Sequence, residues 1–215
     1  MNKKIPAPSI SRLNLLYALL EKKETEGQEK IFSQEIGKEL GIAPHSIRKD
    51  ISFLGEIGNT IAGYDVRKLK EHIHKHLGFN RLVKICIVGL GRLGSALLKY
   101  ERFQASNYKL VAGFDKNINT LEILRTDVPL YPVYEITNIV SARNIELAMI
   151  AVPAAAAQFV ADKLVAGGVR GILNFAPVVI KPTDPGVFVQ NIDLIGELRL
   201  LSAFLALDVN REESI

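Results

Sequence analysis

Apolar residues recur every three or four positions from Ser9, at Ile10, Leu13, Leu16, Leu19 and Leu20. This spacing predicts an amphipathic helix that stops where the polar stretch 21–30 begins. Ser33 then stands as the cap of a second helix, with Glu35 in its first turn, Ile36 and Leu40 on its apolar face and Gly41 as its stop. After a short turn ending at Pro44, a third helix sets Ile47, Ile51 and Leu54 on one side and Ser46, Arg48, Lys49 and Ser52 elsewhere, until Gly55 ends it. Gly58-Asn59 and Gly63, among β-favouring Ile57, Thr60 and Ile61, predict a small hairpin, or wing, between Gly55 and Tyr64. Asp65 caps a fourth helix that turns Val66, Leu69, Ile73 and Leu77 inward. Helix, tight turn, helix and wing together predict a winged helix-turn-helix over residues 1–80.

From Leu82 the rhythm changes to short apolar runs separated by helical stretches, the mark of a mostly parallel sheet covered on both faces. The predicted strands are Val83–Val88, Leu110–Phe114, Leu147–Val152, Gly171–Phe175 and Val187–Ile192, with helices near Leu93–Tyr100, Tyr134–Ser141 and Ala154–Ala166. A last helix, Leu194–Leu207, is apolar around most of its circumference, with only Glu197, Arg199 and Ser202 suited to water. Such a helix needs burial on more than one side. The expected organisation is therefore an α/β chain: a DNA-binding type of head at 1–80, a parallel-sheet domain at 81–192 and a C-terminal helix with its tail at 193–215.

Charge sharpens that division. The chain of 215 residues is 48% hydrophobic and carries +4 overall, but residues 1–84 hold 15 Lys and Arg against 10 Asp and Glu, while the remainder hold 12 against 13. A basic head on a neutral body suits a polyanion-binding unit joined to a ligand-binding one. The single cysteine, Cys86, sits in an apolar strand and is expected to be core. The longest apolar run, Leu147–Ala157, contains Pro153 and is too short for a membrane span, and no N-terminal stretch resembles a signal peptide. No membrane association is expected, and the expected location is cytoplasmic.

Gly89-Leu90-Gly91-Arg92-Leu93-Gly94 follows the first strand of the sheet and opens a helix. In a dinucleotide-binding loop the first glycine makes the tight turn, the second admits a pyrophosphate and the third lets helix and strand pack closely. The helix start adds free N–H groups for phosphate. Asp115 ends the next strand, where a carboxylate accepts hydrogen bonds from an adenosine ribose and repels a 2′-phosphate, so the expected cofactor is NADH or NAD⁺ in a Rossmann-type domain. Val152-Pro153-Ala154 and Phe175-Ala176, at strand ends, are candidates to line a nicotinamide pocket.

The third helix carries the second constellation. Ser46, Arg48, Lys49 and Ser52 supply donors for phosphates and base edges, with His45 at the helix start a further phosphate contact. The bland alternative is a solvated basic face. His72, His74 and His76 lie two apart and point to different faces of one helix, so the three cannot converge on a single ion, and no metal is expected. No catalytic residue stands out either: no His or Lys occupies a position suited to acid–base work, and no residues remain for a substrate domain.

Ser46-Ile47-Arg48-Lys49-Asp50-Ile51-Ser52-Phe53-Leu54-Gly55, then Gly63-Tyr64, resembles the Rex family of bacterial redox-sensing repressors. The resemblance continues through Ile87 to Leu97, Ile150 to Ala154, Gly171 to Pro177 and Asn191-Ile192-Asp193, nearly the whole chain in order. It implies a homodimer in which the final helix, from Leu194, crosses to the partner, and double-stranded operator DNA that is released when NADH binds. It also implies an arginine of the first helix working with Tyr100 and Asp193 as a switch. Two places depart from the family pattern: Thr60 and Ile61 replace a basic residue and a glycine of the wing, and Ala18 stands at the arginine position. Arg12 or another group of the first helix is the expected substitute. Two other readings stay open from the residues: an NAD(H)-binding paralogue without DNA binding, and a small NAD-dependent oxidoreductase.

Overall fold

The computed structural model describes residues 5–55, 57 and 62–207. The chain divides into two compact units, one up to Asn80 and one beginning at Arg81.

The first unit opens with α1 (Ala7–Thr25), followed by β1 (Lys30–Ile31), α2 (Ser33–Leu40), α3 (Pro44–Ser52), β2 (Tyr64–Asp65) and α4 (Val66–His76). Leu13, Leu16 and Leu20 of α1 meet Ile36, Ile47, Ile51, Leu69 and Ile73 in one core from which water is excluded. The periodicity of α1 predicts too short a helix, because residues 21–25 continue it. Their polarity is consistent with a helix: Lys23 is buried and its ammonium pairs with Glu35 and Glu39 of α2, so the charge that interrupts the apolar stripe is itself part of the packing. Ile10, counted with the apolar face, is exposed.

Ser33 is not the cap of α2. Phe32 holds that position, and the Ser33 hydroxyl accepts a hydrogen bond from Arg48 Nη1 at 3.1 Å. Gly41 ends α2 in the left-handed conformation (φ 66°), as its sequence position predicts. Asp65 caps α4 by accepting from the Lys68 N–H at 2.9 Å. Most of the expected wing, including Gly58, Asn59, Thr60 and Ile61, lies outside the described residues. Within them, Tyr64–Asp65 pairs antiparallel with Lys30–Ile31, so the strand leaving the wing is tied to the segment ahead of α2.

The second unit contains β3 (Val83–Val88), α5 (Arg92–Leu98), α6 (Arg102–Ala105), β4 (Tyr108–Asp115), α7 (Ile118–Ile123), β5 (Leu130–Pro132), a 3₁₀ turn (Val133–Glu135), α8 (Ile136–Arg143), β6 (Leu147–Ile150), α9 (Ala154–Gly167), β7 (Gly171–Asn174), β8 (Phe188–Asn191) and α10 (Leu194–Ala206). All six strands of its sheet run parallel in the order β5-β4-β3-β6-β7-β8. The order reverses between β3 and β6. There the loops leaving the two carboxyl ends diverge, which opens a crevice for a ligand.

Successive residues of β3 alternate between two cores. Cys86 and Val88 face α8 and α9 with Phe114, Ile136, Val140, Val160 and Leu164, while Ile85 and Ile87 face the α5 side with Leu90, Leu98 and Met149. Burial pushes the Cys86 thiol pKa up, which keeps it protonated and inert as the apolar run predicts. β5 and α7 are absent from the sequence expectation, since β5 is a three-residue edge strand ending in a proline and α7 buries no side chain. The helix expected to reach Tyr100 stops at Leu98, and α6 follows as a separate turn.

On the α5 side the sheet is incompletely covered. An apolar groove of about 480 Å³ runs along Ile85, Phe103, Tyr108, Met149, Leu173 and Phe188. α10 meanwhile buries no residue at all, and Leu194, Ile195, Leu198, Leu201 and Leu205 are each more than half exposed. No helix among the described residues is long and apolar enough to cross a membrane.

Candidate nucleotide-binding and DNA-binding sites

The three glycines after β3 differ in what surrounds them. Gly89 has φ 92°, and a Cβ there would lie 2.5 Å from the Ala151 carbonyl oxygen and 2.8 Å from Val152. A Cβ on Gly94 would lie 1.8 Å from the carbonyl oxygen of Gly89. Gly91 has ordinary negative φ and open space on every side within 4 Å. The outer two are therefore required by the chain's own packing. The middle one is required by nothing in the protein, and its bareness leaves room for something outside it.

Asp115, at the end of β4, braces this loop. Its Oδ2 accepts the Leu90 N–H at 2.7 Å and its Oδ1 accepts the Asn117 N–H at 2.8 Å. The Leu90 side chain belongs to the core, so Leu90 offers a ligand only its backbone. Arg92 and Leu93 are exposed at the start of α5. Across the crevice, Val152 is half-buried against Gly89, and Pro153 precedes α9 as its cap residue. Phe175 is half-buried on the α5 side of the sheet, while Ala176 is buried on the other. These residues come together around the end of the sheet where the strand order reverses.

Asn174 is a structural residue that reasoning from residue type misses. It is fully buried at the end of β7, where its Nδ2 donates to the Val178 carbonyl at 2.7 Å and to Asn191 Oδ1 at 2.8 Å. Its Oδ1 accepts the Ala176 N–H at 2.9 Å. These bonds fix the loop 175–180 beside the crevice. The only signal in the sequence is an amide ending an apolar strand.

In the first unit, α3 turns His45, Arg48, Lys49 and Ser52 outward, with Ser46 half-buried. Its inner side holds Ile47, Ile51 and one charge, Asp50, which is 1% exposed. Arg12 of α1 grips that carboxylate with two bonds, Nε to Oδ2 at 2.6 Å and Nη2 to Oδ1 at 2.8 Å. Arg48 is steadied by Ser33. The helix thus shows donors to solvent while a part-buried ion pair holds it from behind.

The expected switch residues each have partners within their own unit. Tyr100 is exposed and packs edge-on against Phe103, and Asp193 caps α10 by accepting the Gly196 N–H at 2.9 Å. Leu194, the first residue of α10, is 65% exposed. Arg12, an expected substitute for the arginine missing at Ala18, pairs with Asp50 within the first unit. Among the described residues, no group of three or more metal-ligating side chains forms.

Comparison with known proteins places these features in a family. Residues 4–52 match the family described as putative DNA-binding protein N-terminus, and residues 80–178 match the CoA binding domain family. The redox-sensing transcriptional repressor Rex of Roseiflexus sp. (strain RS-1) is 38% identical over 205 residues, 95% of this chain and 93% of that protein. The Rex of Carboxydothermus hydrogenoformans is 37% identical, covering 93% of this chain and 95% of its own. The crystal structure of RSP, a Rex-family repressor, superposes with a TM-score of 0.86 at 28% identity, covering 96% of this chain and 97% of that one. RSP with β-NAD⁺ and operator DNA gives 0.86 at 28% identity, covering 96% and 94%, and RSP with β-NADH gives 0.85 at 27%, covering 96% of each. With a winged-helix type of head, a glycine loop at the reversal of a parallel sheet and this identity along nearly its whole length, the chain belongs to the Rex family of redox-sensing transcriptional repressors.

Proposed function

We propose that this protein represses transcription by holding operator DNA through α3 and releases it when NADH fills the crevice beside Gly91. The observation that carries the reading is the contrast within the glycine loop: Gly89 and Gly94 are closed in by the chain, and Gly91 faces open space next to the carboxylate of Asp115. A pyrophosphate fits over Gly91, and the lone pairs that Asp115 does not spend on Leu90 and Asn117 accept a ribose hydroxyl. The relatives are named as redox-sensing repressors, and RSP was crystallised with NADH and with NAD⁺ plus operator DNA.

Val152, Pro153 and Phe175 line the nicotinamide end. A neutral dihydronicotinamide enters such an apolar pocket more readily than the cationic ring of NAD⁺, which loses hydration there. His45, Arg48, Lys49, Ser46 and Ser52 contact the major groove and its phosphates. The chain acts as a sensor and not as an enzyme.

The active species is a dimer joined through α10. A 13-residue apolar helix with no buried residue, in a chain whose sheet leaves an apolar groove open, has the chemistry of an element that packs on a second copy. Two heads on one dimer meet half-sites about one helical turn apart only at one relative angle. NADH needs to favour a different angle, and by linkage operator DNA weakens NADH binding by the same factor.

The test is a mobility-shift assay on duplexes selected from a random pool, with NADH or NAD⁺ added. Release by NADH at concentrations where NAD⁺ leaves the complex intact supports the proposal. Equal affinities for the two cofactors, or a wild-type chain that selects no sequence, would refute it. Arg48→Ala separates the two halves, since it abolishes DNA binding and leaves NADH affinity unchanged.

A further inference from the structure

Three histidines at 72, 74 and 76 cannot share an ion, but the fold brings two of them together. His72 and His76 lie one turn apart on α4, both exposed, with ring centroids 5.9 Å apart and planes inclined by 14°. His74 lies elsewhere: its ring stacks on Tyr17, and its Nδ1 shares a hydrogen bond with the Tyr17 hydroxyl at 3.1 Å.

We infer that His72 and His76 form a two-point site for a borderline divalent cation of the Zn²⁺, Ni²⁺ and Cu²⁺ class, a function separate from nucleotide or DNA binding. Three observations carry it. First, the spacing is the one that places two side chains on the same helical face. Second, His76 Nδ1 lies 2.8 Å from the His72 carbonyl oxygen, which can only accept, so Nδ1 carries the proton and the Nε2 lone pair is left pointing away from the helix. Orienting one ring nitrogen by a backbone carbonyl is how metal-binding histidines are set. Third, His76 ends the 11-residue helix and His72 lies one turn before it, so the pair stands near the C-terminal end, where the helix dipole favours a cation.

The geometry needs little adjustment. With Zn–N bonds of about 2.0–2.1 Å and a tetrahedral angle, two imidazole centroids stand roughly 5 Å apart, so the rings must close by about 1 Å. Exposed side chains achieve that by small changes in χ1 and χ2. Water completes the coordination, and the neighbouring Glu71 and Lys75 project from adjacent positions. Of the four histidines in the chain, His45 stands alone on α3, and the one cysteine is buried in β3.

The test uses the full-length protein, stripped with a chelator and titrated with Zn²⁺ in competition with a chromophoric chelator, then with Ni²⁺. Changes to outer-shell partners alone cost on the order of 10–100-fold in metal affinity, so removing a ligand costs at least about tenfold. Wild type and His74→Ala take up one equivalent per chain, while His72→Ala and His76→Ala bind at least about tenfold more weakly. Because a cation bound only to the folded chain stabilises it, Zn²⁺ raises the melting temperature of the first pair and not the second. Both variants replace exposed side chains, and circular dichroism checks that they fold. Unchanged affinity in either variant, loss of binding in His74→Ala, or no competition by wild type overturns the site.

Discussion

The Leu90 N–H donates to Asp115 Oδ2 at 2.7 Å across 25 residues of sequence. The carboxylate that faces the crevice is thus also what holds the first turn of the glycine loop in place. Asp115→Asn keeps one acceptor for Leu90, leaves the exposed Asn117 N–H to water and removes the charge. We expect its melting temperature to stay close to wild type while NADH affinity falls by roughly one to two orders of magnitude, the range for a hydrogen bond to a charged group. Discrimination against NADPH should shrink with it. Fluorescence titration with both cofactors measures these effects, and unchanged discrimination would place the ribose elsewhere.

Gly91 and Gly94 should separate binding from folding. Gly91→Arg projects into open space, so the variant folds as wild type and fails to bind either NADH or NAD⁺. Gly94→Ala brings a methyl within 1.8 Å of the Gly89 carbonyl unless backbone moves, and overpacking of this kind costs about 1–3 kcal/mol or more. Thermal unfolding in the absence of cofactor distinguishes the two, and an unstable Gly91→Arg protein would contradict the assignment.

Arg12→Ala leaves Asp50 buried without its cation. Breaking a fully buried pair costs about 3–5 kcal/mol, and since the Arg12 side chain is 31% exposed we expect about 2–3 kcal/mol here. Replacing both residues by apolar ones of similar volume should recover most of that loss. If urea unfolding shows the double variant to be no more stable than Arg12→Ala, the pair is not acting as a unit.

Glu24 should give the first unit part of its acid sensitivity. Its hydrogen bond and ion pair with Lys70, helped by Arg67, hold its pKa below the ordinary glutamate value. Because the folded pKa is the lower one, this contribution is fully present above the unfolded value of about 4.3 and is lost as pH falls through the folded value. Glu24→Gln should therefore flatten the stability profile below about pH 4.5 and leave its slope unchanged between pH 6 and 8. Unfolding measured across that series checks the sign.

Leu201→Glu alters a residue of α10 that is 56% exposed, so the fold of a single chain should be unaffected. If α10 joins two copies, the variant sediments as a monomer, keeps its NADH site and loses specific DNA binding. A dimeric Leu201→Glu protein would point to a different interface.

Local pattern alone determined most of the elements. The 3.6-residue stripes of α1, α3 and α4, the unbroken apolar runs of β3 and β6 and the Asp65 cap are each set by residues within a few positions of one another, and all are present, although α1 runs on to Thr25 and β6 ends at Ile150, two residues short of its expected end. The glycine loop was legible for the same reason: a turn that only glycine can make leaves its mark in the residue type.

Partners distant in sequence decided the rest. Residues 21–25 are helical because Lys23 finds Glu35 and Glu39, Ser33 serves Arg48 and not the helix end, and Arg12 belongs to Asp50 across 38 residues. The short edge strand β5 forms only because β4 is there to pair with it. Asn174 becomes a structural residue once β7 and β8 bring Asn191 beside it. A side chain's hydrogen-bond and charge partners are chosen by tertiary proximity, which residue periodicity does not encode, so the sequence marks where a polar group must be satisfied and the fold alone decides by what.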